Sequence, residues 1–298
     1  MPMAESGILV VDKPSGWTSH QVVGRCRRLL GTRKVGHAGT LDPMATGVLV
    51  IGVERGTRLL GHLALTTKTY LATIRLGQAT NTDDADGTVT TSGGAIGLTD
   101  AAIESAVQPL RGDIVQVPST VSAIKVNGQR AYALARSGTD VKLKARPVTV
   151  ERFEVLARYE ADADGVPVID LDVAVDCSSG TYIRALARDL GSSLGTGGHL
   201  TALRRTRVGG FDLTGAVTPA DLTADPPRQP PMTPLGEVAR GNFACLELTD
   251  DQARDVRYGR ALAVRLAAEP TALLHGGELL ALYRPDGDRA VAMAVLVG

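Results

Sequence analysis

The chain contains 298 residues, a length typical of about two domains. Hydrophobic residues make up 44%, enough for a substantial core, and no apolar run approaches the roughly 20 residues that a membrane-spanning helix needs. The first residues lack the basic and apolar stretches of a secretory signal, so we expect a cytoplasmic protein. Its 32 basic and 32 acidic residues cancel, which excludes a strongly charged molecule but not a basic face.

Although the net charge is zero, the charged residues are unevenly distributed along the chain. Basic residues cluster at 25–34, 142–146 and 204–207, whereas acidic residues gather at 83–86 and between 160 and 176. Any one basic cluster is typical of a solvated surface, but together they allow a basic face on a neutral protein. The three cysteines form no C-x-x-C pair and suggest neither a zinc site nor a disulfide framework.

The first half of the chain alternates predicted strands and helices. Residues 18–30 place their apolar side chains on one helical face, and Gly31 is a natural stop. Residues 69–77 alternate like a half-buried strand with Tyr70 on the apolar side. We also expect strands at 7–14 and 47–53, a polar loop at 77–87 and a helix at 99–110.

The second half begins with an irregular, basic stretch at 118–147 that suggests an insertion. Residues 169–177 alternate strictly between apolar and polar, which predicts an amphipathic strand. A helix follows, with Thr181 as its expected N-cap and Gly195 as its stop. Five prolines between 226 and 234 indicate a linker, and the helix and hairpin patterns beyond them predict a small β-rich domain.

The segment GHAGTLDPMATG, residues 36–47, combines glycines with one histidine and one aspartate. It lacks the ending of a phosphate-binding P-loop and the spacing of a dinucleotide fingerprint. Taken alone, Asp42 before Pro43 is typical of a turn, and His37 is typical of a hydrogen-bonded structural histidine. The segment therefore needs further support before it indicates chemistry.

That support comes from a resemblance to the TruB-type tRNA pseudouridine synthases, whose signature GHxGTLDPxATG this segment matches. Further matching segments follow in the family's order, and the resemblance covers roughly residues 7 to 215. They are VDKPSGWTS at 11–19, KTYLATIRLGQATNTDDADG at 68–87, CSSGTYIRALARDLG at 177–191 and GGHLTALRRTRVGGF at 197–211. From Leu235 onward the chain is only loosely similar to small RNA-binding PUA-like domains.

The resemblance implies an α/β (α+β) catalytic domain with a mixed, largely antiparallel sheet and flanking helices. It places this domain at 1–235, with a basic RNA-clamping insertion at about 120–150, and a PUA-like domain at 236–298. The implied activity is isomerisation of uridine to pseudouridine at position 55 in the T loop of tRNA. No cofactor or metal is implied. The implied partner is the tRNA T stem-loop, with no membrane and no obligate protein partner, and a monomer is expected.

The family's aspartate falls on Asp42. A carboxylate suits cleavage and re-joining of a glycosidic bond, because it can act as a nucleophile or stabilise positive charge at the anomeric carbon. The uridine is stacked in a folded loop and must be extruded, and His37 matches the residue that fills the vacated space. Tyr70 matches the tyrosine that stacks on the flipped base, although its pattern alone indicates ordinary core.

Arg184 matches the arginine that pairs with the catalytic aspartate, and a guanidinium keeps a carboxylate ionised in a water-poor pocket. Tyr182 and Leu203 match residues that line the uracil pocket. An exposed helical arginine and a plain core leucine are the alternatives for Arg184 and Leu203. Lys13 and Pro14 match the first motif, where we expect support of the catalytic loop. In the insertion, phosphate contacts are expected from Lys125, Lys142, Lys144 and Arg146.

Two other functions are compatible with the residues. A non-catalytic RNA-binding or RNA-folding protein could use the same scaffold, although binding alone needs no ion-paired carboxylate. A hydrolase of a nucleoside or sugar would usually need two carboxylates in its pocket, and the acidic run at 83–86 leaves that alternative open.

Overall fold

The computed structural model describes residues 5–119, 125–126, 129–130, 143–225 and 230–297. Its sheets are largely antiparallel and mixed with helices, which confirms the predicted fold class. Helices are α1 (Ser19–Leu30), α2 (Leu60–Leu63), α3 (Asp100–Val107), α4 (Ile183–Ser193), α5 (Leu235–Asn242) and α6 (Asp250–Arg257). None of these helices is long and apolar enough to cross a membrane.

The strands in the described ranges group into two compact units, of which unit 1 covers 1–41, 47–65 and 208–298 and unit 2 covers 42–46 and 66–207. Strands are β1 (Gly7–Lys13), β2 (Val35–Ala38), β3 (Thr46–Val53), β4 (Lys68–Leu76), β5 (Gln78–Thr80), β6 (Val89–Ser92), β7 (Gly112–Gln116), β8 (Lys125–Val126), β9 (Gln129–Arg130), β10 (Arg146–Ala163), β11 (Val166–Cys177), β12 (Gly198–Val208), β13 (Thr233–Pro234), β14 (Ala244–Glu247), β15 (Thr271–His275), β16 (Glu278–Asp286) and β17 (Arg289–Val295).

Unit 1 joins the two ends of the chain in one core. Strand β1 pairs antiparallel with β3 and with the short β13, and β2 pairs with β3. The C-terminal strands form a four-stranded sheet in the order β14-β15-β16-β17. Buried Ile8 and Val50 from the first sheet belong to the same apolar cluster as Leu274 and Leu282 from the second.

Helix α1 begins and ends where its sequence predicts. The hydroxyl of Thr18 accepts a hydrogen bond from the backbone N–H of Gln21, and the Gln21 side chain accepts one from the Thr18 N–H, which forms a capping box. At the other end Gly31 has a φ of 64°, a left-handed conformation that glycine adopts without strain.

Unit 2 is built on the antiparallel strand order β12-β4-β11-β10-β7. On β4 the predicted apolar side is confirmed, because Tyr70, Ala72, Ile74 and Leu76 are all buried. The opposite side of β4 is polar and is joined to β11 through side-chain hydrogen bonds from Thr69 to Asp176, Thr73 to Asp172 and Arg75 to Asp170. One side of β4 is therefore apolar and buried, and the other is mainly polar.

Helix α4 confirms the predicted helix but not its predicted cap. The N-cap residue is Tyr182, whereas the hydroxyl of Thr181 donates to the carbonyl of Ser178 at 3.0 Å. Further along, α4 lies directly on the start of β12. A Cβ added to Gly191 would lie 2.2 Å from the carbonyl carbon of Gly197, so the two backbones touch.

Candidate active site

Asp42 stands at the start of a five-residue segment of unit 2. Its carbonyl accepts a hydrogen bond from the N–H of Ala45 at 3.1 Å, which closes a tight turn. At the far end of the segment, the hydroxyl of Thr46 lies 3.4 Å from the carbonyl of Leu203 and 3.4 Å from Nη1 of Arg204. The Asp42 side chain is 37% exposed, so a reactant can approach it from solvent.

Arg184 forms an ion pair with this carboxylate from the buried side. Its Nη2 lies 3.0 Å from Oδ2 of Asp42, although the arginine side chain is only 4% exposed. Its Nη1 lies 3.2 Å from Oδ2 of Asp84 and donates to the carbonyl of Thr82 at 2.9 Å. A single guanidinium therefore joins the Asp42 turn to the polar loop at 82–86.

Asp84 is the carboxylate that the sequence left undecided within the acidic run at 83–86. Its side chain is 5% exposed, and Oδ1 accepts hydrogen bonds from the Thr82 hydroxyl at 2.5 Å and the Asp86 N–H at 3.2 Å. Asp83 beside it has a φ of 62° and binds Arg188, with 3.3 Å between Oδ2 and Nη1. Asp84 thus binds Arg184 from the buried side instead of standing free in the pocket.

Tyr70 lies on β4 next to buried Arg205 of β12. Burial raises the pKa of the Tyr70 hydroxyl, and a hydrogen bond from Arg205 together with its positive charge opposes part of that rise. The negative charge of Asp42 raises the pKa of Tyr70 further, so the phenol lies within electrostatic range of the carboxylate. The phenol therefore stays neutral over a wider pH range than in an unfolded chain.

Lys68 precedes this pair on β4 and is buried as well. Its ammonium group donates to the carbonyl of Thr66 at 2.7 Å. Burial, and after it the positive charge of Arg205, together lower the pKa of Lys68 to about 8. Sequence reasoning missed Lys68 and Arg205, and it left Asp84 undecided within the acidic run, although all three lie inside the matched segments.

The remaining uracil-pocket candidates also belong to unit 2. Leu203 is buried, and Tyr182 is half-buried immediately before α4. The backbone of Tyr182 is bound by the side chain of Gln116, the last residue of β7. The structure thus brings together Asp42 and Arg184 by direct contact, with Tyr70 in electrostatic range.

His37, Lys13 and Pro14 belong to unit 1. His37 on β2 packs edge-on against His20, with ring centroids 5.6 Å apart. Lys13 is fully buried, and its ammonium group donates to the carbonyls of Pro14 at 2.9 Å and Trp17 at 2.6 Å. Lys13 therefore fixes the Pro14–Trp17 turn.

The expected phosphate contacts lie in and around the insertion. Lys142 lies outside the described residues, and only the backbone of Lys125 is described, in β8. Lys144 and Arg146 are exposed, and Arg146 begins β10. Within the described ranges, no group of three His, Cys, Asp or Glu side chains is placed to hold a metal ion.

The fold is shared with solved RNA-protein assemblies. A chain of an H/ACA RNP bound to a substrate RNA containing 2'-deoxyuridine aligns with a TM-score of 0.69 at 24% identity, covering 98% of this chain and 85% of that one. A chain of a Cbf5-Nop10-Gar1 complex gives the same TM-score and identity over 99% and 86%. These likenesses establish the fold alone.

Sequence comparison makes the assignment specific. The model of the TruB family pseudouridylate synthase N-terminal domain matches residues 27–183. Models named tRNA pseudouridylate synthase B C-terminal domain and tRNA pseudouridine synthase II C-terminal match 184–226 and 243–297. The chain therefore belongs to the TruB family of pseudouridylate synthases.

Curated relatives match over nearly their whole length. A protein named tRNA pseudouridine synthase B from Cutibacterium acnes is 57% identical, covering 100% of both chains. Proteins of the same name from an Arthrobacter species and from Mycobacterium bovis are 54% and 55% identical. They cover 97% of this chain and 92% and 95% of their own.

Proposed function

We propose that this chain converts the T-loop uridine of tRNA, position 55, to pseudouridine, with Asp42 as the essential carboxylate. The observation that carries the proposal is the 3.0 Å contact of buried Arg184 with the half-exposed Asp42 carboxylate. A protein that only binds RNA has no need for an ion pair of this kind. The names of the curated relatives support tRNA as the substrate.

In this proposal Asp42 acts on the glycosidic bond of an extruded uridine. The carboxylate attacks the nucleotide or stabilises positive charge at the anomeric carbon while the bond between N1 and C1′ breaks. The base then turns and C5 bonds to C1′, after which C5 loses its proton and N1 gains one. Arg184 keeps Asp42 ionised and oriented, because its own position is fixed by Asp84 and Thr82. Tyr70 stacks on the flipped base, and Tyr182 and Leu203 line the uracil pocket.

RNA binding is proposed to extend well beyond this pocket. His37 fills the space that the uridine leaves, and Lys125, Lys142, Lys144 and Arg146 contact phosphates. The segment 236–298 acts as a small RNA-binding domain attached to a catalytic domain at 1–235. Recognition of the T loop depends mainly on RNA shape, as is typical for folded RNA, and a tRNA substrate agrees with a cytoplasmic location.

The decisive experiment uses Asp42→Asn, which keeps the side-chain volume and removes the charge. We expect the variant to bind tRNA and to form no pseudouridine, as read by base-specific chemical mapping of position 55. Asp164→Asn, an exposed carboxylate on the β10–β11 turn, is the matched control and should modify tRNA at the wild-type rate. Normal turnover by Asp42→Asn would disprove the assignment, whereas release of free uracil by the wild type would indicate a hydrolase.

A further inference from the structure

We propose that Gln116 is a positioning residue for the isomerisation proposed above, because it fixes the first turn of α4 and with it Tyr182 and Arg184. Gln116 ends β7 and is 2% exposed. Its Oε1 accepts a hydrogen bond from the N–H of Tyr182 at 2.8 Å, and its Nε2 donates to the carbonyl of Tyr182 at 3.1 Å. One side chain thus binds both backbone groups of one residue.

Helix α4 depends on this pair of hydrogen bonds because the side chain of its N-cap residue, Tyr182, makes no capping hydrogen bond. The first N–H groups of a helix have no partner within the helix and need one from elsewhere. Tyr182 makes no capping hydrogen bond with its side chain, and Ala185, three residues later, has no side-chain acceptor. In α1 and α6 a glutamine at that third position, Gln21 or Gln252, binds the N-cap N–H. Gln116 supplies the same hydrogen bond to α4 from a strand 66 residues away.

A second contact from the same strand end reinforces the first. The carbonyl of Val117 accepts a hydrogen bond from Nη2 of Arg188 at 2.8 Å, one helical turn beyond Arg184. Nη1 of Arg188 lies 3.3 Å from Oδ2 of Asp83, next to Asp84. Consecutive residues of the chain therefore bind α4 on both sides of Arg184.

The consequence for the reaction is geometric. Arg184 is the second residue of α4, so a shift of Tyr182 moves the guanidinium relative to Asp42, which it contacts at 3.0 Å. The same shift moves the Tyr182 ring against the uracil. A displacement of about 1 Å is enough to slow catalysis by about 100-fold without loss of binding.

The test is Gln116→Met, which keeps the approximate volume and removes both hydrogen bonds, with exposed Gln108→Met as the matched control. We expect the single-turnover rate constant of pseudouridine formation to fall by about 10- to 100-fold, with the Kd for tRNA changed by less than about twofold. Gln116→Glu keeps the acceptor for the Tyr182 N–H and loses the donor. Its rate constant should lie between those of the wild type and Gln116→Met.

A double-mutant cycle with Arg184→Lys separates positioning from general structure. If Gln116 acts through Arg184, the double variant loses less rate than the product of the two single losses. A multiplicative loss, or a wild-type rate in Gln116→Met, overturns the proposal. Should Gln116→Met fail to fold, the Gln116→Glu cycle decides by the same criterion. Failure of the proposed function is distinguishable, because the wild type and Gln108→Met would then form no pseudouridine at position 55.

Discussion

Asp42 and Asp84 share one guanidinium. Arg184 lies 3.0 Å from the Asp42 carboxylate through Nη2 and 3.2 Å from the Asp84 carboxylate through Nη1. The Asp84 side chain is 5% exposed and the Asp42 side chain is 37% exposed, so Asp84 is shielded from solvent and Asp42 is not. Asp84 binds the arginine from the protein interior, and Asp42 binds it from the side that solvent reaches. Removing either buried partner should therefore change catalysis and stability together.

Replacing the buried carboxylate tests its supporting role. In Asp84→Asn the guanidinium keeps Asp42 and the Thr82 carbonyl as partners but loses its charged anchor. We expect pseudouridine formation to slow by about 10- to 100-fold. The free energy of unfolding should fall by about 2 kcal/mol, as for loss of a charged hydrogen bond. Asp86→Asn, on the exposed side of the same loop, is the control, and equal effects of the two variants would contradict the role of Asp84.

Replacing Arg184 by lysine keeps the positive charge and removes the two-pronged guanidinium that binds both carboxylates. An ammonium group cannot span two carboxylates as a planar guanidinium does. Urea unfolding of Arg184→Lys should show a free energy of unfolding lower by about 3 kcal/mol, because buried Asp84 loses much of its pairing. The rate constant of pseudouridine formation should fall by about 100-fold.

Arg152→Lys is the matched control for that variant. Arg152 also contacts two carboxylates, Asp176 at 2.7 Å and Glu154 at 3.1 Å, but at the surface. Exposed pairs of this kind contribute less than about 1 kcal/mol, so the control should stay close to the wild type. A large loss of stability in Arg152→Lys would show that burial is not what makes the Arg184 bridge important.

Lys68 predicts an increase in stability at alkaline pH. Its pKa is lowered from 10.5 to about 8 by burial and by Arg205, so the unfolded chain binds more protons than the fold between these values. Stability contributed by Lys68 is thus fully present above the unfolded pKa and is lost as the pH falls toward 8. Unfolding free energies measured from about pH 8 to about pH 10 should rise for the wild type relative to Lys68→Met. Exposed Lys144→Met should parallel the wild type, and a falling difference would refute the expectation.

Tyr70 predicts a change of the opposite sign at higher pH. Burial raises the pKa of its hydroxyl above 10, so the fold keeps a proton that the unfolded chain releases. Its contribution is fully present below the unfolded pKa and is lost as the pH rises through the folded value. The stability of the wild type relative to Tyr70→Phe should therefore decline above about pH 10. Tyr159→Phe, which removes an exposed hydroxyl on β10, is the control, and a flat difference for Tyr70→Phe would contradict the prediction.

Regular patterns explain what the sequence predicts correctly. The apolar side of β4 and the end of α1 at Gly31 follow from residue spacing and local backbone conformation, which depend on near neighbours. The strand β10, in contrast, gives no clean alternation in the sequence. Its register shifts between Val150 and Arg152 and again between Val155 and Ala157, and each shift interrupts the period of two.

The site divides in the same way. Asp42, Arg184 and Tyr70 are found from their place in matched segments. Asp42 and Arg184 are in direct contact, the charge of Asp42 reaches Tyr70, and the catalytic roles of all three stay predictions. Which member of the acidic run points inward depends on the left-handed φ of Asp83, and nothing in its sequence neighbours determines that angle. The clamp of Gln116 on Tyr182 joins residues 66 positions apart, so it follows from the tertiary fold and not from a local pattern.

The backbone contact between α4 and β12 makes this protein sensitive to substitution of the glycines at the contact. A methyl group at Gly191 would collide with Gly197 at 2.2 Å, and one at Gly198 would lie 2.5 Å from the carbonyl of Ala187. Neither glycine has a side chain that could bind a ligand or carry charge. Alanine at either position should push α4 away from β12 and displace Arg184, which lies on the same helix. We therefore expect activity to depend on two positions that must lack a side chain so that the helix and the strand can touch.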